Sequence, residues 1–115
     1  MPRDPRLYLE DIKRSVELIQ AYTAGLDFEQ FDRDQKTIDA VVRNLEIIGE
    51  AARTLPDDTK NLATDIEWRK ITAMRNLLTH QYFGIDTVIV WDIVQNKLRS
   101  LKEFCEKQLG SEPKK

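Results

Sequence analysis

A chain of 115 residues, 41% hydrophobic and 33% charged, has the length of one domain. Its 18 Lys and Arg stand against 20 Asp and Glu, a net charge of −2, which excludes a protein that coats nucleic acid without selectivity but leaves room for a local basic site. One cysteine and one histidine exclude a disulfide framework and a multi-ligand zinc centre, and four Gly with four Pro are too few for a loop-rich all-β protein.

No apolar run approaches the ~20 residues that span a bilayer, and the chain opens without a cleavable signal pattern. A reduced, cytoplasmic setting without membrane contact is expected. Asp4-Pro5 opens the first helix, because Asp can cap the free N–H groups and Pro at the first helical position forfeits no hydrogen bond. Leu9, Ile12, Val16 and Ile19 then recur at helical spacing, and Gly25 is the expected stop. Leu26, Phe28 and Phe31 form a short acidic connector that plugs the core. Asp32 and Gln35 have the spacing of a capping box for the second long helix. Its stripe is Ile38, Val41, Val42, Leu45, Ile48, Ala52 and Leu55, and Pro56 ends it. Gly49 inside that helix costs about 1 kcal/mol against Ala, a cost offset if another helix approaches closely at Gly49 and Ala52.

Residues 56–65 are turn-like, and Asp65 is the expected cap of a third long helix from about Ile66 to Tyr82, with Trp68 anchoring its start and Gly84 breaking it. The last helix is expected to begin after Asp86 and run unbroken through Trp91, Val94, Leu98, Leu101 and Cys105. Its first turns, Thr87-Val88-Ile89-Val90, are β-prone by composition, but nothing else in the chain offers a strand partner. The fold expected is all-α: an antiparallel bundle of four long helices plus short helical turns, one domain over residues 1–110, with a polar tail at 111–115.

Chemistry concentrates around the single histidine. Asn76 and His80 are four apart and share a helix face, while Arg75 lies five from His80, about 140° round an ideal helix. Arg matches phosphate oxygens with a two-pronged contact, His transfers protons near neutral pH, and Asn orients a hydroxyl or the imidazole. Cleavage of an RNA phosphodiester needs a 2′-OH deprotonated, charge on phosphate stabilised and a leaving oxygen protonated. An isologous dimer would bring two Arg–His pairs to one cleft. Taken singly, these residues have blander readings: a partly buried histidine, an arginine in a salt bridge, and at Tyr82 an aromatic at the edge of the core. Glu46 and Glu50, four apart, read as a salt-bridged face and not as half of a di-metal site, because no Glu stands three before His80. Cys105 falls on the apolar stripe and reads as core. No Gly-rich phosphate loop is present.

RNLLTHQY at 75–82, VRNLEIIGEAA at 42–52, IEWRKITAMRNLLTHQYFGID at 66–86 and the following VWDIVQNKL resemble, in order and spacing, the HepT-type toxins of the HEPN superfamily. The likeness runs over nearly the whole chain. It implies a HEPN-like bundle, a homodimer whose cleft holds the active sites, and endoribonuclease activity on an RNA substrate with neither metal nor cofactor. By motif position Arg75 and His80 would be catalytic and Asn76 would assist, with Glu50 and Arg43, in the second signature, as possible supporting residues. The resemblance also implies a type VII-like toxin–antitoxin pair. Its partner would be a small MNT-type nucleotidyltransferase antitoxin, MntA, that transfers AMP from ATP onto the motif tyrosine, here Tyr82. The alternative is a non-catalytic helical subunit that binds substrate for a nucleotidyltransferase.

Overall fold

The computed structural model describes residues 3–79 and 84–110, with residues 76–79 described through their backbone alone. Seven helices follow one another among these residues: α1 Pro5–Thr23, α2 Phe28–Asp32, α3 Gln35–Thr54, α4 Asp57–Lys60, α5 Trp68–Thr79, α6 Thr87–Asn96 and α7 Leu98–Gly110. No strand occurs among them. No helix among the described residues is long and apolar enough to cross a membrane.

The first helix begins as its sequence dictates. The Asp4 carboxylate accepts the Arg6 N–H at 2.9 Å, and Pro5 occupies the first turn. After Thr23 the chain turns through Gly25, whose φ of +78° is open to glycine at no steric cost. The connector is the short helix α2, and Phe31 is the expected plug, with no exposed surface. The capping box falls here and not at Asp32 and Gln35. Asp27 accepts the Gln30 N–H at 2.8 Å, and the Gln30 side chain accepts the Asp27 N–H at 3.0 Å. Asp32 is the last residue of α2 and accepts the Thr87 hydroxyl instead, so the cap of α3 passes to Asp34, which accepts both the N–H and the hydroxyl of Thr37.

α3 is the centre of the molecule, packing against α1, α2 and α5, while α7 lies along the other side of α1. Ile12, Val16 and Ile19 of α1, Val41, Leu45 and Ile48 of α3, and Leu101 and Cys105 of α7 have no exposed surface. Each such aliphatic side chain contributes about 1.5–3 kcal/mol on burial. These are the stripes read from the periodicity of the sequence.

The third long helix starts later than expected. Asp65 does not begin it. The Ile66 N–H bonds the Ala63 carbonyl at 3.3 Å and the Trp68 N–H bonds the Ile66 carbonyl at 2.9 Å, so turns continue to Trp68. Ile66 is buried, and that requirement keeps the loop folded past Asp65. The expected end at Tyr82 lies outside the described residues, whereas Gly84, with φ +96°, stands where the break was expected.

The final helix is two. Asp86 caps α6 through the N–H groups of Val88 and Ile89, so the β-prone segment is helical as read, but Lys97 interrupts the run with φ −115° and ψ −20°. The reason lies in what each half covers. Trp91 of α6 packs on Phe31 at 5.0 Å and Phe28 at 6.3 Å between ring centroids, whereas α7 must lie along α1. One straight rod cannot follow both directions.

Candidate active site

The site is built on the contact of α5 with α3. Three hydrogen bonds fix the start of α5. The Trp68 indole N–H donates to the carbonyls of Lys60 at 3.0 Å and Ala63 at 3.1 Å, and the Lys60 ammonium donates to the Ala52 carbonyl at 3.1 Å. The Trp68 ring also meets Phe104 edge-on, 5.5 Å between centroids, tying this corner to α7. Ile71 and Met74 are buried against the core, which turns the adjacent Arg75 toward the surface. Gly49 of α3 lies directly beneath. A Cβ at Gly49 would stand 3.2 Å from the Cβ of Arg75, 3.3 Å from its backbone nitrogen and 3.3 Å from the Ile71 carbonyl oxygen. The close approach expected from a glycine inside α3 is therefore the seat of Arg75.

One residue along α3, Glu50 holds the arginine's charged end. Arg75 Nε lies 3.0 Å from Glu50 Oε1, and Arg53 Nη2 lies 2.7 Å from Oε2. The carboxylate thus bridges two guanidinium groups. The hydrogen bond from Arg53 holds the Glu50 carboxyl below its ordinary range, and the positive charges of Arg53 and Arg75 act in the same direction against a partial opposing effect of burial. The same bond raises the Arg53 guanidinium. The Arg75 side chain keeps 39% of its surface exposed while leaning on Glu50.

Arg75 borders two grooves. One, of about 360 Å³, runs between the start of α1 and α3, with Tyr8, Arg43, Glu46 and Glu50 on its walls. The other, of about 560 Å³, runs between α3, α4 and the first turns of α5. Of the residues singled out in the sequence, Arg75, Glu50 and Arg43 come together along the first groove. The Asn76 side chain, His80 and Tyr82 lie outside what is described. The salt-bridged reading of Glu50 holds, and so does the reading of Arg75 as an ion-pair partner. Sequence reasoning missed the contribution of α1: Arg3 pairs with Asp11 at 2.9 Å and lies 4.7 Å over the Tyr8 ring, and all three line the first groove. No spacing rule links residues 3–11 to Arg75, so the sequence carried no signal for it. Cys105 is wholly buried, and burial pushes its thiol up to about 12, far from a nucleophile's range.

The all-helical fold agrees with the class that the comparisons define. The chain belongs to the ribonuclease HepT-like family, whose pattern matches residues 12–108. It is 46% identical over 107 residues to a probable ribonuclease HepT of Thermococcus cleftensis, covering 93% of this chain and 97% of the relative. It is 42% identical over 108 residues to a putative RNase of Methanocaldococcus jannaschii, covering 92% of this chain and 89% of the relative. A putative RNase of Caldanaerobacter subterraneus is 34% identical over 110 residues, covering 96% of this chain and 98% of the relative. No solved structure gives a significant match.

Proposed function

We propose that this chain is a toxin that cuts RNA, acting as a homodimer and without metal, through Arg75 and His80 with Asn76 assisting. The observation that carries the reading is the seating of Arg75: a partly exposed guanidinium held in place from below by Gly49 and from the side by Glu50, at the rim of a groove. Such a group is preorganised to meet charge that develops on phosphate. Membership in the ribonuclease HepT-like family supports the nucleolytic reading.

The reaction follows from these parts. A 2′-hydroxyl oxygen attacks the adjacent phosphorus while a base takes its proton. The growing negative charge on the non-bridging oxygens is balanced by Arg75. The phosphorus–oxygen bond to the 5′ side breaks, and an acid gives its proton to the departing oxygen. His80 is the group suited to proton transfer at neutral pH, and a two-fold axis supplies two of them to one cleft. Arg43 and Glu50 support the site through its charge balance.

Control follows from the same chemistry. A nucleotidyltransferase antitoxin of the MntA type transfers AMP from ATP onto the Tyr82 oxygen, with pyrophosphate as the leaving group. The added phosphodiester competes with RNA for Arg75.

Purified chain incubated with total RNA in EDTA, followed by end-mapping of the fragments, tests the first part. Loss of cutting in Arg75→Ala and His80→Ala, with helical content unchanged, is the expected result. Full activity in either variant overturns the assignment. If the wild-type chain cuts nothing yet binds a nucleotidyltransferase, it is a non-catalytic substrate-binding subunit. Mass spectrometry after treatment with the antitoxin and ATP tests the second part, and an adduct away from Tyr82 overturns it.

A further inference from the structure

The two grooves that meet at Arg75 differ in charge, and the difference gives a nucleic-acid strand a direction. The groove between α1 and α3 is balanced: Arg3, Arg43 and Arg75 face Asp11, Glu46 and Glu50. The groove between α3, α4 and α5 is not. Arg53, Lys60, Arg69 and Arg75 line it against one carboxylate, Asp57. Even with Glu50 counted, the cations prevail, in a chain whose net charge is −2. Positive charge concentrated in a concave strip of an otherwise acidic molecule is the footprint of a phosphate-bearing ligand.

We propose that this cationic groove carries the sugar–phosphate backbone of the RNA strand on one side of the bond cut at Arg75. The inference rests on the nucleolytic reading above and adds the path of the substrate. Arg69 and Arg75 are six residues apart on α5, about 9 Å along the helix axis, so the groove spans more than a single phosphate. Arg69 is exposed and makes no ion pair among the described residues. Lys60 spends one hydrogen bond on the Ala52 carbonyl, and an ammonium has three donors. Arg53 engages Glu50 through Nε and Nη2, two of the three nitrogens of its guanidinium. The aromatic residue of the groove, Trp68, has its N–H committed to two carbonyls and its ring packed on Phe104. What remains for the ligand is guanidinium, ammonium, amide and hydroxyl, the groups that contact phosphate and ribose.

Arg69 is the residue to test, because it supports neither the fold nor the reacting site. Binding of a fluorescein-labelled single-stranded RNA oligonucleotide is followed by anisotropy over a range of salt concentrations, and cutting is followed on that RNA and on a dinucleotide. Arg69→Ala should weaken oligonucleotide binding by roughly tenfold at low salt and reduce the slope of log affinity against log salt by about 0.7. It should raise the KM for the long RNA while leaving dinucleotide cleavage unchanged. Arg99→Ala, an exposed arginine of α7 outside both grooves, serves as the control and should change nothing. Unchanged binding and KM in Arg69→Ala overturn the proposal and leave the nucleolytic reading intact. An equal loss on both substrates also overturns it, because the damage would then lie at the reacting site. A wild-type chain that binds RNA with this salt dependence but cuts neither substrate overturns the nucleolytic reading and leaves the groove standing. Absence of RNA binding at low salt overturns the groove.

Discussion

The Cβ of Arg75 stands 3.2 Å from where a Cβ on Gly49 would be, and this one missing methyl group sets the spacing of α3 and α5 at the candidate site. The neighbours on the α5 side are a Cβ, a backbone nitrogen and a carbonyl oxygen, none of which can swing away as a side-chain tip would. Gly49→Ala should gain about 1 kcal/mol of helix propensity and lose about 1–3 kcal/mol to crowding. The expected outcome is a melting temperature unchanged or lower, with RNA cleavage reduced more than stability, because the shift falls on Arg75. Gly49→Val should lower both clearly. Thermal melting followed by circular dichroism, beside a cleavage assay, checks this. A stabilised Gly49→Ala variant with full activity would falsify the close seat.

The guanidinium of Arg75 should not be replaceable by a simple cation. Arg75→Ala is expected to lower kcat by about 10²–10³, the range for loss of one preorganised donor to developing charge. Arg75→Lys keeps the charge but loses the planar fork, and should recover only part of that activity. Equal activity of the Lys variant and the wild type in a single-turnover assay would mean that charge alone suffices.

Glu50 positions rather than reacts. Glu50→Gln removes the carboxylate that bridges Arg53 and Arg75 while keeping its shape. Its main effect should be on kcat, with helical content retained. The pH dependence has a defined sign. The Glu50 carboxyl is lowered in the folded chain from its ordinary 4.5, first by the hydrogen bond from Arg53 and then by the positive charges of Arg53 and Arg75. A depressed carboxylate stabilises the fold above its unfolded value and loses that contribution as pH falls through the folded one. The stability difference between wild type and Glu50→Gln should therefore be constant above pH 4.5 and shrink below it, and it should be small, because half of the side chain is exposed. Urea melts over a pH series measure it. A difference that grows on acidification contradicts the assignment.

Cys105 should be chemically silent in the native chain. Buried without exposure, with its thiol pushed up to about 12, it has almost no thiolate at neutral pH. A thiol-reactive dye should label it only on unfolding. Cys105→Ala should leave RNA cleavage at the wild-type level while lowering the melting temperature. Rapid native labelling, or loss of cleavage without loss of structure, would bring the thiol back into consideration.

Much of the fold was legible because helical periodicity is a local property. Ile12, Val16 and Ile19, or Val41, Leu45 and Ile48, announce one buried face whichever helix they meet. Asp4, Asp86 and Gly25 act within a few residues of themselves and fell where expected. Features that answer to distant partners were misread. The cap of α3 at Asp34 rather than Asp32, the start of α5 at Trp68 rather than Ile66, and the break at Lys97 each follow from a tertiary demand: the Thr87 contact, the burial of Ile66 and the Trp91 packing. No Gly or Pro marks the break between α6 and α7, so nothing in the local pattern separated one helix from two.

The candidate site divides in the same way. The residue types needed for phosphate chemistry, their order and their helical spacing around Arg75 are written in the chain, and so is the glycine that lets a second helix approach. Which helix approaches, that Glu50 leans on Arg75 as well as on its helical neighbour Arg53, and that residues 3–11 wall one groove while Arg69 and Lys60 wall the other were decided by the tertiary structure alone. The physical reason is range. Propensity and periodicity act over a few residues, whereas charge and close packing act through space and ignore separation along the chain. A net charge of −2 says nothing of where the positive charge lies until α3, α4 and α5 gather it into one groove.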